Sequence, residues 1–578
     1  MTPSLIRLTR IFSSPQSRSS SLFAASLGLA LLASCAGDKA PSDTGGATAP
    51  APAGQPAMAD PPKSAGNRPN IVFILVDDLD NNLFARTASL QTLMSDQGTR
   101  FENNFASVPL CCPSRVTTLR GQFAHNTHVF TNEAPEGGFA RALSEGLEKS
   151  TIGTWLQGAG YRTAMIGKYL NGYPKGAPSD SYIPPGWTYW LVPNAGKPYK
   201  EYDYTFNDNG KSEAHGNAPQ DYMIDVLAAK ASAFIRDSAG SGKPFFVYLA
   251  PFSPHTPSTP PPRYESLAPQ QRAPRTAAFN EADNADKPNW LRSMPLLSDR
   301  AIGRIDKQYG KRFASMQAIG DMVKSVIDTL KQTGQLDNTY VFFASDNGFH
   351  QGQHRMHSGK NTPYSEDIDV ALVVRGPGVP AGRVVSQLTG NVDYAPTFAE
   401  LAGVPLPSFV DGRSLVALMK GNNPSRWRKA FLIEHGGSGI TPEGGSELDE
   451  PPDDHDIDLA GGNLDETDTE TGGGGRNGRG GRGKGKRGGG KGKGGKGKQA
   501  RMELQARVYA GVRTESSLSY VEYDTGECEL YDLARDPDEM SNNCSRADAA
   551  QKKKLSDWVA RLKGASGQTL RDAEESSP

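Results

Sequence analysis

Ile71-Val72-Phe73-Ile74-Leu75-Val76, followed at once by Asp77-Asp78, is the stretch that decides the fold. An apolar run with no polar residue inside it does not fit a strand with one wet face, which would alternate. It fits a strand covered on both faces, as in a parallel sheet. Runs of the same kind recur at Pro244–Ala250 (PFFVYLA), Thr339–Ala344 (TYVFFA) and Val370–Val374 (VALVV). Helical patterns lie between them, at Ile152–Gln157 and Met316–Gln332. Strands alternating with helices predict an α/β domain with a large, mostly parallel mixed sheet between helices.

Outward from the first run, the polar residues at the strand ends carry the chemistry. Asp77 and Asp78 follow the first buried strand, and Asp346-Asn347-Gly348 follow the Thr339–Ala344 run in the same way. Open parallel sheets build their sites at the carboxyl ends of strands. Tandem carboxylates there are costly unless a cation neutralises them, and hard oxygen donors suit Ca²⁺ or Mg²⁺. Either pair alone reads as a helix cap or turn; two such pairs at two strand ends point to a metal site.

Cys111-Cys112-Pro113-Ser114-Arg115 forms the next cluster. Adjacent cysteines suggest a disulfide or a thiolate metal ligand, yet no C-x-x-C elsewhere completes a zinc site. Pro113-Ser114 reads as a helix start, where backbone N–H groups favour anions, and Arg115 adds a fixed positive fork.

The rest of the chain sets the context. Its 578 residues, 36% hydrophobic, are ample for a large core, and a net charge of −1 gives no global field toward nucleic acid or membrane. Residues 1–35 read as a lipoprotein-type signal: Arg7, Arg10 and Arg18 precede the apolar Ser21–Ser34, which ends in Leu32-Ala33-Ser34-Cys35. This implies export, a membrane anchor at Cys35 and a place in a bacterial cell envelope, on the outer membrane or surface. Residues 36–68 are a flexible Pro/Ala/Gly linker. A catalytic domain spans 69–410, and a smaller C-terminal subdomain spans 411–437 and 502–570. Residues 438–501, first acidic and then almost only Gly, Lys and Arg, are a disordered insertion at a hairpin tip by composition. The basic tract lacks aromatics for base stacking, so no nucleic acid is expected. Cys528 and Cys544 remain as an exported pair that invites a disulfide.

Cys111-x-Pro113-Ser114-Arg115 resembles the formylglycine signature of type I sulfatases. Further segments are similar to that family: Gly167-Lys168-Tyr169-Leu170-Asn171, Ser253-Pro254-His255-Thr256-Pro257, Ser345-Asp346-Asn347-Gly348, Gly359-Lys360 and Leu530-Tyr531-Asp532-Leu533. The branch most resembled contains N-acetylglucosamine-6-sulfatases and extracellular heparan sulfatases. The resemblance implies an alkaline-phosphatase-like fold with a C-terminal antiparallel sheet. It implies formylglycine made from Cys111 by a maturation enzyme, and one Ca²⁺ held by Asp77, Asp78, Asp346, Asn347 and the modified Cys111. Arg115, Lys168 and Lys360 would contact sulfate or formylglycine, and His255 would bind sulfate or protonate the leaving alcohol. The expected substrate is a sulfated saccharide, a 6-sulfated hexosamine-type unit. Two alternatives are a formylglycine-dependent phosphodiester or phosphonate monoester hydrolase and a non-catalytic glycan-binding surface lipoprotein. Many family members carry a His two positions after the Gly-Lys lysine; here Leu170 stands there, and His125 is a candidate for the vacant role or a packing residue.

Overall fold

The computed structural model describes residues 68–436 and 508–577. The expected signal segment, the linker up to Asn67 and the insertion lie outside them. Among the described residues no helix is long and apolar enough to cross a membrane.

Among the described residues the strands are, in chain order, β1 (Asn70–Val76), β2 (Thr99–Phe101), β3 (Asn104–Phe105), β4 (Arg162–Gly167), β5 (Tyr189–Gly196), β6 (Tyr204–Asp208), β7 (Lys211–His215), β8 (Phe245–Ala250), β9 (Thr339–Ser345), β10 (Leu372–Arg375), β11 (Arg383–Val385), β12 (Thr389–Gly390), β13 (Ala430–His435), β14 (Tyr509–Thr514), β15 (Leu518–Tyr523) and β16 (Cys528–Asp532). Ten of them form one sheet in the order β11-β2-β10-β9-β1-β8-β4-β5-β6-β7. Its centre, from β9 through β1, β8 and β4 to β5, is parallel; antiparallel strands flank it on both sides. β3 and β12 make a short parallel pair.

The apolar run of β1 explains the layering. Val72, Ile74 and Val76 point into one core, and Ile71, Phe73 and Leu75 into the other, all fully buried. β8 and β9 divide their side chains in the same way, as the two-residue period of a strand requires. The first core is closed by the helices Met223–Ser241 and Asp299–Gln332, the second by Cys111–Arg120, Ile152–Gly158 and Tyr394–Ala402. Each fully buried large side chain contributes about 1.5–3 kcal/mol, so a charge at Phe73 would forfeit that and add an unpaired buried ion.

The Asp299–Gln332 helix starts well before the expected Met316. Its first half carries a weak apolar pattern, since its buried positions include Gly310, Arg312 and Ser315 beside Ala301, Ile305, Tyr309 and Ala314.

β13 to β16 form an antiparallel meander, with a third core against the helices Ala549–Lys563 and Gly567–Glu575. His435 of β13 pairs with Tyr509 of β14, so the two described ends that flank the insertion are neighbours across one hairpin. Cys528 and Cys544 are joined in a disulfide, with Cα atoms 5.9 Å apart.

Candidate active site

β1 and β9 are adjacent and parallel, with Val76 paired to Ser345. That register brings Asp77 and Asp346 side by side at the same strand ends. Asp78 poses a geometric problem, because successive side chains of a strand point to opposite faces. The backbone solves it by turning over: Asp78 sits at φ +61°, in the left-handed region. A non-glycine residue held there costs on the order of 1–3 kcal/mol. Oxygens of Asp77, Asp78 and Asp346 then lie within 4.8 Å of one another. Asn347 completes the group, its Nδ2 donating to Asp78 Oδ1 at 2.7 Å and its backbone N–H to Asp346 Oδ1 at 2.8 Å. Asn347 Oδ1 is buried and accepts no hydrogen bond.

Cys111 opens a ten-residue helix in which every residue is buried. Arg115 lies four residues on, so it shares a helix face with Cys111. Its Nε and Nη2 both reach Asp346 Oδ2 at 2.8 Å, and Nη1 donates to the Lys168 carbonyl at 3.0 Å. Ser114 Oγ donates to the Asp346 carbonyl at 2.5 Å and accepts from Asn391 Nδ2 at 2.9 Å, which docks the helix start on β9. The Cys111 thiol Sγ is 3.3 Å from Asp77 Oδ1 and 2.8 Å from Lys360 Nζ.

Lys168 arrives from the end of β4. Gly167, at φ +104°, lets the chain pass so close to β8 that a Cβ would fall 2.0 Å from the Ala250 carbonyl oxygen. Lys168 Nζ donates to Asp77 Oδ2 at 2.6 Å, and Lys360 Nζ to Asp78 Oδ1 at 2.8 Å. His255, beyond β8, hydrogen-bonds the Thr256 carbonyl through Nδ1 at 2.7 Å and places Nε2 3.6 Å from Asp78 Oδ2. The structure thus brings together all nine expected residues: Asp77, Asp78, Cys111, Arg115, Lys168, His255, Asp346, Asn347 and Lys360.

Three carboxylates meet three fixed cations in this pocket, Arg115, Lys168 and Lys360. Burial pushes the Asp77 carboxyl up, but Lys168, His255, Arg115 and Lys360 more than offset it and hold Asp77 well below the usual carboxylate range. Asp346 goes the other way, pushed up to about 7 by burial and then by the charge of Asp77, against the pull of Arg115. Burial, and then Asp77, push the Cys111 thiol far up. A thiol kept neutral is a poor nucleophile.

Some contributors carried no sequence signal. Tyr199 is buried beside the site; Lys168 Nζ lies 4.9 Å from its ring centroid, and its ring is 4.6 Å from that of His255. Leu170 packs in the second core. His125 is a packing residue: its Nδ1 faces both oxygens of Glu434 at 3.0 and 3.1 Å, and its Nε2 faces the Ala565 carbonyl at 3.1 Å. The helix between it and Cys111 is about 15 Å long.

Residues 69–404 match the family model described as Sulfatase. The chain belongs to the sulfatase family. Among its relatives is the Drosophila melanogaster extracellular sulfatase SULF-1 homologue, 36% identical over 391 residues, or 65% of this chain and 34% of that one. The human N-acetylglucosamine-6-sulfatase is 35% identical over 382 residues, 64% of this chain and 68% of the human protein. The chain spans 34–52% of the length of the extracellular-sulfatase relatives it matches. A solved structure in complex with its substrate D-glucosamine-2-N,6-O-disulfate superposes with a TM-score of 0.64 at 22% identity, covering 88% of this sulfatase-family chain and 99% of the other. That likeness establishes the alkaline-phosphatase-like fold.

Proposed function

We propose that this chain hydrolyses the sulfate ester of a sulfated saccharide, a 6-sulfated hexosamine-type unit, with formylglycine made from Cys111 and one calcium ion. The position of Cys111 carries the reading. Its Sγ, standing in for the oxygen of a formylglycine hydrate, lies between a carboxylate cluster and the Lys360 ammonium, 3.3 Å from Asp77 Oδ1 and 2.8 Å from Lys360 Nζ.

The donor set fits a calcium ion. Asp77, Asp78, Asp346, Asn347 and the converted Cys111 would hold it with oxygen atoms, and the buried, unserved Asn347 Oδ1 is an acceptor that a cation would satisfy. Bound there, the ion supplies Lewis-acid polarisation of ester oxygens. Formylglycine, as its hydrate, supplies one hydroxyl to take the sulfo group and a second to drive its release. The protein's own residues do the rest. Arg115, Lys168 and Lys360 contact the sulfate oxygens or the formylglycine among buried groups, where such contacts act strongly. His255, its Nδ1 engaged by Thr256, presents Nε2 to bind sulfate or protonate the leaving alcohol. Three cations balance three carboxylates, so a divalent ion leaves the pocket two charges positive, suited to an anionic ester.

Relatives named extracellular sulfatases and N-acetylglucosamine-6-sulfatase support the sugar class and export; the anchor at Cys35 and maturation by a formylglycine-generating enzyme belong to the same proposal and rest on the sequence motifs alone. The test is sulfate release, followed by ion chromatography, from a panel of sulfated monosaccharides and glycosaminoglycans. Converted protein should release sulfate from 6-sulfated glucosamine, and Cys111→Ala should release none. Full release by Cys111→Ala, or faster cleavage of a matched aryl phosphodiester than of the aryl sulfate, would overturn the reading.

A further inference from the structure

We propose that Arg312 is the positioning residue that holds the metal-facing carboxylates and His255 in one geometry. It sits in the middle of the Asp299–Gln332 helix, fully buried, and touches three separate segments of the site. Its Nη2 donates to the Asp78 carbonyl at 2.6 Å and to Asp80 Oδ2 at 2.8 Å. Its Nη1 reaches the carbonyl of Pro254, the residue before His255, at 3.4 Å. Its guanidinium lies 4.3 Å from the ring centroid of Phe349, two residues after Asn347.

The contact with Asp78 matters most. Asp77 and Asp78 face one site only because the backbone turns over at Asp78, at φ +61°. That conformation is unfavourable for a residue with a side chain and persists only where its surroundings fix it. A charged donor on the Asp78 carbonyl, from a rigid helix, supplies such a fixing contact. Gln308, one turn earlier on the same helix face, donates to Thr256 Oγ1 at 2.7 Å and adds a second tie to the His255 segment. A helix with a fully buried arginine in place of an apolar side chain gives up core packing, and the ordering of these loops accounts for its presence. A lysine keeps the charge but cannot bond the Asp78 carbonyl, Asp80 and the Pro254 carbonyl from one planar group while lying on Phe349.

The inference rests on the sulfatase reading for the use of the site, and its test does not depend on activity. Calcium is titrated calorimetrically into the full chain as wild type, Arg312→Lys and Phe349→Leu, with thermal melting to establish folding. Converted protein is assayed in parallel on an aryl sulfate. We expect Arg312→Lys to melt within a few degrees of wild type and to bind calcium at least tenfold more weakly, with kcat down at least tenfold and KM within twofold. Phe349→Leu, which loosens the same guanidinium, should weaken calcium three- to fivefold and decides the matter if Arg312→Lys does not fold. Wild-type calcium affinity in a folded variant overturns the proposal, as does a wild type that binds no calcium. A converted wild type that binds calcium but releases no sulfate refutes the sulfatase reading alone, and the calcium comparison still decides the role of Arg312.

Discussion

Two buried polar clusters in this molecule follow opposite rules. In the C-terminal region, Glu529 is fully buried and receives the hydroxyls of Tyr364 at 2.7 Å, Tyr523 at 2.6 Å and Tyr531. Both of its oxygens are served. At the ends of β1 and β9, three carboxylates crowd one point, Asn347 Oδ1 accepts nothing, and Asp78 is held in an unfavourable conformation. The first cluster is complete in itself; the second pairs its carboxylates with Arg115, Lys168 and Lys360 and still leaves a buried acceptor unserved. A satisfied buried network specifies and rigidifies a fold, whereas one that keeps an unserved acceptor and a strained residue marks a candidate site.

Substitutions should separate the two. Asp346→Asn should lower sulfate release by about a thousandfold or more and move the melting temperature by only a few degrees, followed by sulfate assay and calorimetry on the same preparation. Glu529→Leu should do the reverse. It strands three buried hydroxyls and should cost about 3–5 kcal/mol, while kcat per folded molecule stays within about tenfold. Similar losses of activity and stability in both variants would break the comparison.

A third prediction concerns protons. Asp346, pushed up to about 7, must lose its proton for a cation to bind. Calcium affinity should be level above pH 7 and fall by up to about tenfold per pH unit below it. Calorimetry in buffers of different ionisation heat would show the released proton, and an affinity flat from pH 5 to 8 would contradict it.

The smallest effect should come from Glu201, near the His255 segment. Burial pushes its carboxyl up to about 8; Ser253 Oγ donates to one oxygen at 2.7 Å, and the other oxygen has no partner. With the folded value above the unfolded one, stability is lost as pH rises from about 4.3 toward 8. Glu201→Gln should therefore melt with wild type near pH 4 and a few degrees higher at pH 8. No gain at pH 8 would show that the ionised form is compensated by a partner.

Much of this was legible in the sequence. The run Ile71–Val76 has the pattern of a strand buried on both faces, and β1 is one. Asp77-Asp78 and Asp346-Asn347 announced themselves as strand-end donors, and Pro113-Ser114 marked a helix start; that the helix begins two residues earlier, at Cys111, and so puts Cys111 and Arg115 on one face, is a finding of the structure. These are local properties, because side-chain direction follows from the two-residue period of a strand and the 3.6-residue period of a helix. The tertiary structure decided what no local pattern encodes. It joined Lys168, His255 and Lys360 to Cys111 from three distant segments and gave His125 to Glu434 of β13 and the Ala565 carbonyl instead of the site. It also placed Tyr199 against Lys168 and His255, and Arg312 against the Asp78 and Pro254 carbonyls. An isolated Arg or Tyr in a sequence carries no mark of its partners; its role is set by which carbonyls, carboxylates and rings the fold leaves within hydrogen-bond reach once water has been excluded.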